Sequence, residues 1–181
     1  KKNKKTQPVK SGDKLQPFRK ALAEKNWGYA VKTGSTFRYT DLWTDACTVM
    51  GKTVISLAER DDMDALRLIW HFMDANITFQ KPVDGKFFWL TQMAYAFEKH
   101  KNFIPEYKIA GFTLDFFRSL PEEARPTKIL CRDVYFYFAL AAMHMGKIAE
   151  SIEAEIFSSE KAGTVSPPLP LLYFTLTLGT S

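Results

Sequence analysis

The chain has 181 residues, 46% of them hydrophobic and 14% aromatic, with a formal net charge of +5. That is enough for one domain or one small repeat array with a buried core. No stretch approaches the roughly 20 apolar residues of a spanning helix, and two cysteines 84 positions apart, Cys47 and Cys131, make neither a disulfide framework nor a zinc site.

The charge is unevenly placed. Residues 1–38 hold eleven cations (Lys1, Lys2, Lys4, Lys5, Lys10, Lys14, Arg19, Lys20, Lys25, Lys32 and Arg38) against Asp13 and Glu24, a net of +9. The remainder has 14 positive and 18 negative residues, a net of −4. Residues 1–38 therefore read as a basic arm, with one short helix around Phe18, Ala21 and Leu22 ending near Gly28. Such an arm suits phosphate-bearing partners. Its eleven cations are the expected RNA contacts, and Trp27, Tyr29, Phe37 and Tyr39 are interleaved with them as rings on which unpaired bases could stack.

Beyond the arm the apolar residues fall at helical spacing. Leu42, Ala46, Val49, Met50, Val54 and Leu57 mark one helix. Ala65, Leu68, Ile69, Phe72 and Met73 mark the next, with Asp61, Asp62 and Asp64 in its first turn and Pro82 closing it. The plan repeats. Phe88, Leu90, Met93, Ala94 and Phe97 are followed by Tyr107, Ile109, Phe112, Leu114, Phe116 and Phe117, and then by "PEEARPTK". "RDVYFYFALAAMHMG" comes next, with a turn at Gly146-Lys147, and then a last helix carried by Ile148, Ile152 and Ile156. Pro82, Pro126 and Pro167 thus close three successive helix pairs, 44 and 41 residues apart. A period near forty with two helices per period marks an α-solenoid. The expected fold is all-α, with about three helix-turn-helix repeats over residues 39–168 and the start of a further element at 169–181.

"RDDMDALRLIWHFMDANITFQKP" resembles the second half of a pentatricopeptide repeat, with Ala65, Leu66, Leu68, Ile69, Met73, Ile77 and Pro82 in the family's pattern positions. "DVYFYFALAAMHMGKIAESIEAEIF" resembles a first helix, with Tyr135 near its start, running into a second. The resemblance covers about residues 41–168. At the positions where that family reads bases stand Met50, Phe88 or Gln92, and Phe136, with Val83 and Thr127 after the closing prolines. Most of these lack the hydrogen-bonding groups that base readout needs. Divergent, aromatic-rich repeats with a basic arm are similar to helical-repeat proteins of mitochondrial ribosomes and RNA-processing complexes. The resemblance therefore implies a scaffold of a large ribonucleoprotein, placed in the mitochondrial matrix or otherwise the cytoplasm. It implies RNA, ribosomal in the first instance, and neighbouring proteins as partners, and no membrane. The alternatives are a tetratricopeptide-like protein-binding module and a nucleocapsid-like RNA-coating protein.

Enzyme chemistry has little footing. "ACTVMGKT" ends like a phosphate-binding loop but has Ala46 where that loop needs Gly, and helical residues surround it. His71, His100 and His144 have no Cys or carboxylate at metal-ligand spacing on the same helix face. The acidic groups Asp61-Asp62, Glu122-Glu123 and Glu150, Glu153, Glu155 read as solvated surface. No catalytic residue, metal or cofactor is expected. Adjacent rings cannot all face inward on a helix. Phe88, Trp89, Phe116, Phe117 and Tyr137 are accordingly expected to meet protein partners.

Overall fold

The computed structural model describes residues 13–74 and 81–162, and within them the chain is all-α. The helices are α1 (Gln16–Ala23), α2 (Trp27–Ser35), α3 (Trp43–Ala58), α4 (Asp64–Asp74), α5 (Pro82–Lys99), α6 (Phe103–Ser119), α7 (Lys128–His144) and α8 (Ile148–Ala162). A single 3₁₀ turn, Glu122–Ala124, precedes α7.

The helices run in pairs, and all four pairs turn the same way. One residue after each odd-numbered helix takes the left-handed conformation: Lys25 (φ 55°), Asp61 (φ 50°), Lys101 (φ 56°) and Gly146 (φ 71°). Two reversed hydrogen bonds close each turn. Lys25 N donates to Leu22 O and Asn26 N to Ala21 O; Asp61 N donates to Ala58 O and Asp62 N to Leu57 O. Lys101 N donates to Glu98 O and Asn102 N to Phe97 O; Gly146 N donates to Met143 O and Lys147 N to Ala142 O. This is the Schellman closure, which satisfies the last carbonyls of a helix. The residue after the left-handed one then opens the partner helix. Asn26 caps α2 by accepting from Tyr29 N at 3.3 Å. Asp62 accepts from Asp64 N at 2.9 Å at the start of α4.

Neighbouring pairs are laid against one another. Helix α1 adjoins α3, α3 adjoins α5, and α5 adjoins α7, while α2 adjoins α4. Pro82 is the first residue of α5, where its missing N–H is no loss, so it opens a helix rather than only closing one. Asp84, in the first turn of α5, is buried and accepts from Thr127 N at 2.9 Å, which fixes the connector before α7.

Among the described residues, two apolar clusters form the core. The first joins α1 to α6 around Trp89, whose ring lies 4.0 Å from Phe72 and 4.4 Å from Trp43 between centroids. The second joins α5 to α8 around Phe87, Phe117 and Tyr135. Phe88 and Phe116 pack against both. Gly51 sits inside α3 because Phe97 of α5 lies on it: an added Cβ would come within 2.5 Å of that ring. The "GKT" triplet is therefore continuous helix at a close helix crossing.

Three expectations change. The arm ends earlier than residue 38. Leu15, Phe18, Leu22, Ala30 and Val31 are buried in the first cluster, so residues 16–35 form a helix pair of their own, and Gly28 lies inside α2. Met50, a position aligned with base readers, is fully buried. Helix α8 is turned opposite to its apolar pattern. It buries Ser151, Ala154 and Ser158, together with Glu155, which was expected at the solvated surface, and leaves Ile148, Ile152 and Ile156 exposed. The reason is close approach. Small side chains let the backbones draw together, so that Ser151 Oγ donates to Ala139 O at 2.8 Å and Ser158 Oγ to Arg132 O at 3.2 Å. Residues 169–181, and the closing proline Pro167, lie outside the described residues.

Gly51→Ala is expected to lower unfolding stability by about 1–3 kcal/mol, because Phe97 must move. Lys101→Gly is expected to raise it by about 0.5–1 kcal/mol, since relief of a steric cost of roughly 1–2 kcal/mol is partly offset by the extra backbone freedom of glycine in the unfolded chain. Urea unfolding of both variants beside the parent checks the two signs.

Candidate functional site

Five of the eleven expected RNA-contacting cations, Lys1, Lys2, Lys4, Lys5 and Lys10, lie outside the described residues. The other six flank the first helix pair, and several are already engaged. Arg19 pairs with Asp13 at 3.4 Å and Lys20 with Glu24 at 3.8 Å, both in exposed positions of small energetic value. Lys25 joins the first helix pair to the second, with its Nζ 2.8 Å from Asp64 and 3.6 Å from Asp62 at the start of α4. Those carboxylates hold the Lys25 ammonium above its ordinary value. The guanidinium of Arg38 lies 5.3 Å from the Tyr39 ring and 5.5 Å from the Phe88 ring. Lys14 and Lys32 stand on the same pair, Lys14 exposed and Lys32 exposed in α2. Of the interleaved rings, Tyr29 and Tyr39 are exposed, Trp27 is half-buried and Phe37 belongs to the core.

The five rings expected at a protein partner divide. Trp89 and Phe117 are each 1% exposed and cannot reach one. Adjacent aromatics crowd inward here because the core lies on two sides of α5 and α6, with a cluster toward α3 and α4 and another toward α7. Phe88, Phe116 and Tyr137 are half-buried; all three pack against the first cluster, and Phe88 and Phe116 against the second as well. The Trp89 Nε1–H has no hydrogen-bond partner among the described residues.

Among the described residues, two polar contacts tie α6 to the last helix pair. Tyr107 of α6 donates to Glu150 Oε2 at 2.6 Å, and Lys147 Nζ donates to Tyr107 Oη at 2.8 Å and to Glu150 Oε1 at 3.2 Å. The second is deeper. Glu106 of α6 has no exposed side-chain surface; its Oε2 lies 3.2 Å from His144 Nδ1 at the end of α7, and its Oε1 has no partner among the described residues. The Phe103 ring lies 4.2 Å from the His144 ring. Burial pushes the Glu106 carboxyl up to about 7, against the opposing pull of His144 and with a smaller push from Glu98. The Glu106 carboxyl is therefore divided between its protonated and ionised forms near neutrality. Glu106 has no exposed surface, so its proton is held within the α6–α7 contact. Sequence spacing gave no hint of this pair, because its members are 38 residues apart on different helices.

Elsewhere His100 Nε2 lies 3.1 Å from Asp45 in a half-exposed pair, and His71 is exposed. Among the described residues, no group of three or more His, Cys, Asp or Glu is placed to hold a metal ion. Burial pushes the Cys47 thiol far up, which makes it a poor nucleophile. No described helix is long and apolar enough to cross a membrane. Compared with protein families, curated proteins and solved structures, the chain finds no match.

A carboxyl whose folded value exceeds its ordinary 4.5 binds its proton more tightly in the folded state. Its stabilising effect is complete below about 4.5 and is lost as pH rises through about 7. Glu155, pushed up to about 7 by burial, acts with the same sign. Glu106→Gln removes one of these contributions, so its stability relative to the parent is expected to improve from pH 5 to pH 8. A difference that stays constant across that range in urea titrations would refute the assignment.

Proposed function

We propose that this chain is a short α-solenoid serving as a non-catalytic, RNA-associated scaffold subunit of a large ribonucleoprotein, in the first instance a mitochondrial ribosome or its assembly and RNA-processing machinery. The fold part of the reading is supported by four helix pairs closed by one turn type, with left-handed residues 36, 40 and 45 positions apart, and by the row of adjacent odd-numbered helices. Pentatricopeptide-like pairing is consistent with that row.

The observation that carries the functional part is the concentration of charge. Eleven cations precede residue 39, five of them within the first ten residues, while the rest of the chain is net negative. Cations so placed neutralise phosphates without reading bases. The burial of Met50 and the packing of Phe88 against the core favour a scaffold over a one-base-per-repeat reader. Neighbouring proteins of the complex then meet the half-buried faces of Phe88, Phe116 and Tyr137.

The test compares single-stranded RNA binding by the full chain and by a chain lacking residues 1–12, which leaves α1 and α2 in place. Binding of the full chain is expected to weaken steeply with salt. Loss of the five terminal lysines is expected to reduce the log–log slope by about 3.5, at roughly 0.7 per phosphate contact. Absence of binding in both chains would refute the RNA role and leave a protein-docking module.

A further inference from the structure

The first helix pair holds a cleft between its two helices. Its volume is about 520 Å³, within the roughly 300–1,000 Å³ of sites that take small organic ligands. Gln16, Lys20 and Glu24 line it at four-residue steps, so they share one face of α1 and its C-cap. Asn26 and Tyr29 line it from the start of α2. Ala21, 2% exposed, lies at its base, where a small side chain leaves depth.

The fold leaves the groups around this cleft unengaged. Tyr29 is 50% exposed; its ring meets no other ring or cation among the described residues, and its hydroxyl has no hydrogen-bond partner there. Tyr39, the other exposed tyrosine of this region, already lies 5.3 Å from the Arg38 guanidinium. The Gln16 side chain makes no hydrogen bond among the described residues. Asn26 Oδ1 accepts from Tyr29 N at 3.3 Å, which anchors that side chain while its amide N–H groups stay without a partner among the described residues. Lys20 Nζ lies 3.8 Å from Glu24 Oε1 in a pair whose side chains are 72% and 58% exposed. Such a pair is weak, so Lys20 is available to an anion. The surroundings are basic, with six cations in residues 13–38 against Asp13 and Glu24.

We propose that this cleft holds one unpaired nucleotide of the bound RNA, with the base on the Tyr29 ring, its edge on the Gln16 and Asn26 amides, and its phosphate beside Lys20. The assignment rests on the RNA-binding reading above and adds a base contact to the phosphate contacts. Every base has a π-face, so a tyrosine ring takes any of them. An amide both donates and accepts, so Gln16 fits more than one base edge. Glu24 accepts from an exocyclic amino group and repels phosphate, which leaves the phosphate to the Lys20 side of the cleft. A base inside a duplex has its pairing edge and both faces occupied, so the site selects single strands.

The experiment measures binding of the full-length chain to a short single-stranded RNA and to an abasic ribose-phosphate strand of the same length, across a salt series. The parent is expected to bind the RNA at least about fivefold more tightly. Tyr29→Ala is expected to weaken RNA binding by about 5- to 150-fold, the range for loss of one base–aromatic stack. Affinity for the abasic strand and the salt slope are expected to stay unchanged, since the ring carries no charge. Tyr29→Phe is expected to bind RNA within about twofold of the parent, because the stack survives. Equal affinity for the two strands overturns the site and leaves the phosphate reading standing. So does RNA binding by Tyr29→Ala equal to the parent's, or an equal loss on both strands. Absence of binding to either strand refutes the RNA reading itself and this site with it. If circular dichroism shows that Tyr29→Ala loses helix, exposed Gln16 decides in its place. Gln16→Ala is then expected to weaken RNA binding at least about twofold, as loss of a hydrogen bond requires, with abasic binding unchanged. Unchanged RNA binding by Gln16→Ala overturns the proposal.

Discussion

A single backbone device recurs at every helix pair: one residue in the left-handed conformation, bracketed by two reversed hydrogen bonds. It reverses the chain within two or three residues and places the start of each even-numbered helix beside the end of its partner. The pairing, the row of odd-numbered helices and the continuous core depend on that reversal. Its chemistry varies between pairs. Gly146 adopts the conformation without strain, whereas Lys25, Asp61 and Lys101 do so against a steric cost of about 1 kcal/mol or more. At Lys25 part of that cost is offset, because the same residue's ammonium reaches Asp64 and Asp62 on the next pair.

The core ties the pairs into one body. Phe88 and Phe116 each pack against both apolar clusters, so the first two pairs and the last are not separate packing units. Close helix approach is arranged differently at different joints. At α3–α5 a glycine receives a phenylalanine ring, and at α7–α8 serines and an alanine bring backbones together while the isoleucines turn away. The Glu106–His144 contact adds a polar joint at α6–α7 whose strength depends on a proton.

Much of the helix plan was legible in sequence. The stretches around Val54, Leu68, Phe97, Leu114 and Ala139 announce themselves through three- and four-residue spacing, and Gly146 marks its own turn. The first pair was read only in part: Phe18, Ala21 and Leu22 mark α1, but Leu15, Ala30 and Val31 are scattered through a lysine-rich stretch that reads as a charged arm. The turns at Lys25 and Lys101 gave no signal, since lysine is not a residue that favours the left-handed region. Helix α8 misled for a physical reason. An isoleucine ladder normally marks the buried face, but a tight contact through small residues, closed by two serine hydrogen bonds, took that place. Which of several adjacent rings are inside also depended on tertiary placement: Trp89 and Phe117 are core because helices lie on both sides of them.

The proposed function divides the labour, with phosphate contacts at the basic N-terminal region and protein contacts on the helix-pair body. Photo-crosslinking of bound single-stranded RNA to the intact chain, followed by mapping of the modified peptides, tests that division directly. The account expects adducts confined to residues 1–39, with exposed Tyr29 and Tyr39 as the ring sites within reach. Adducts concentrated on α5 to α8 would contradict it and place the RNA on the body of the array.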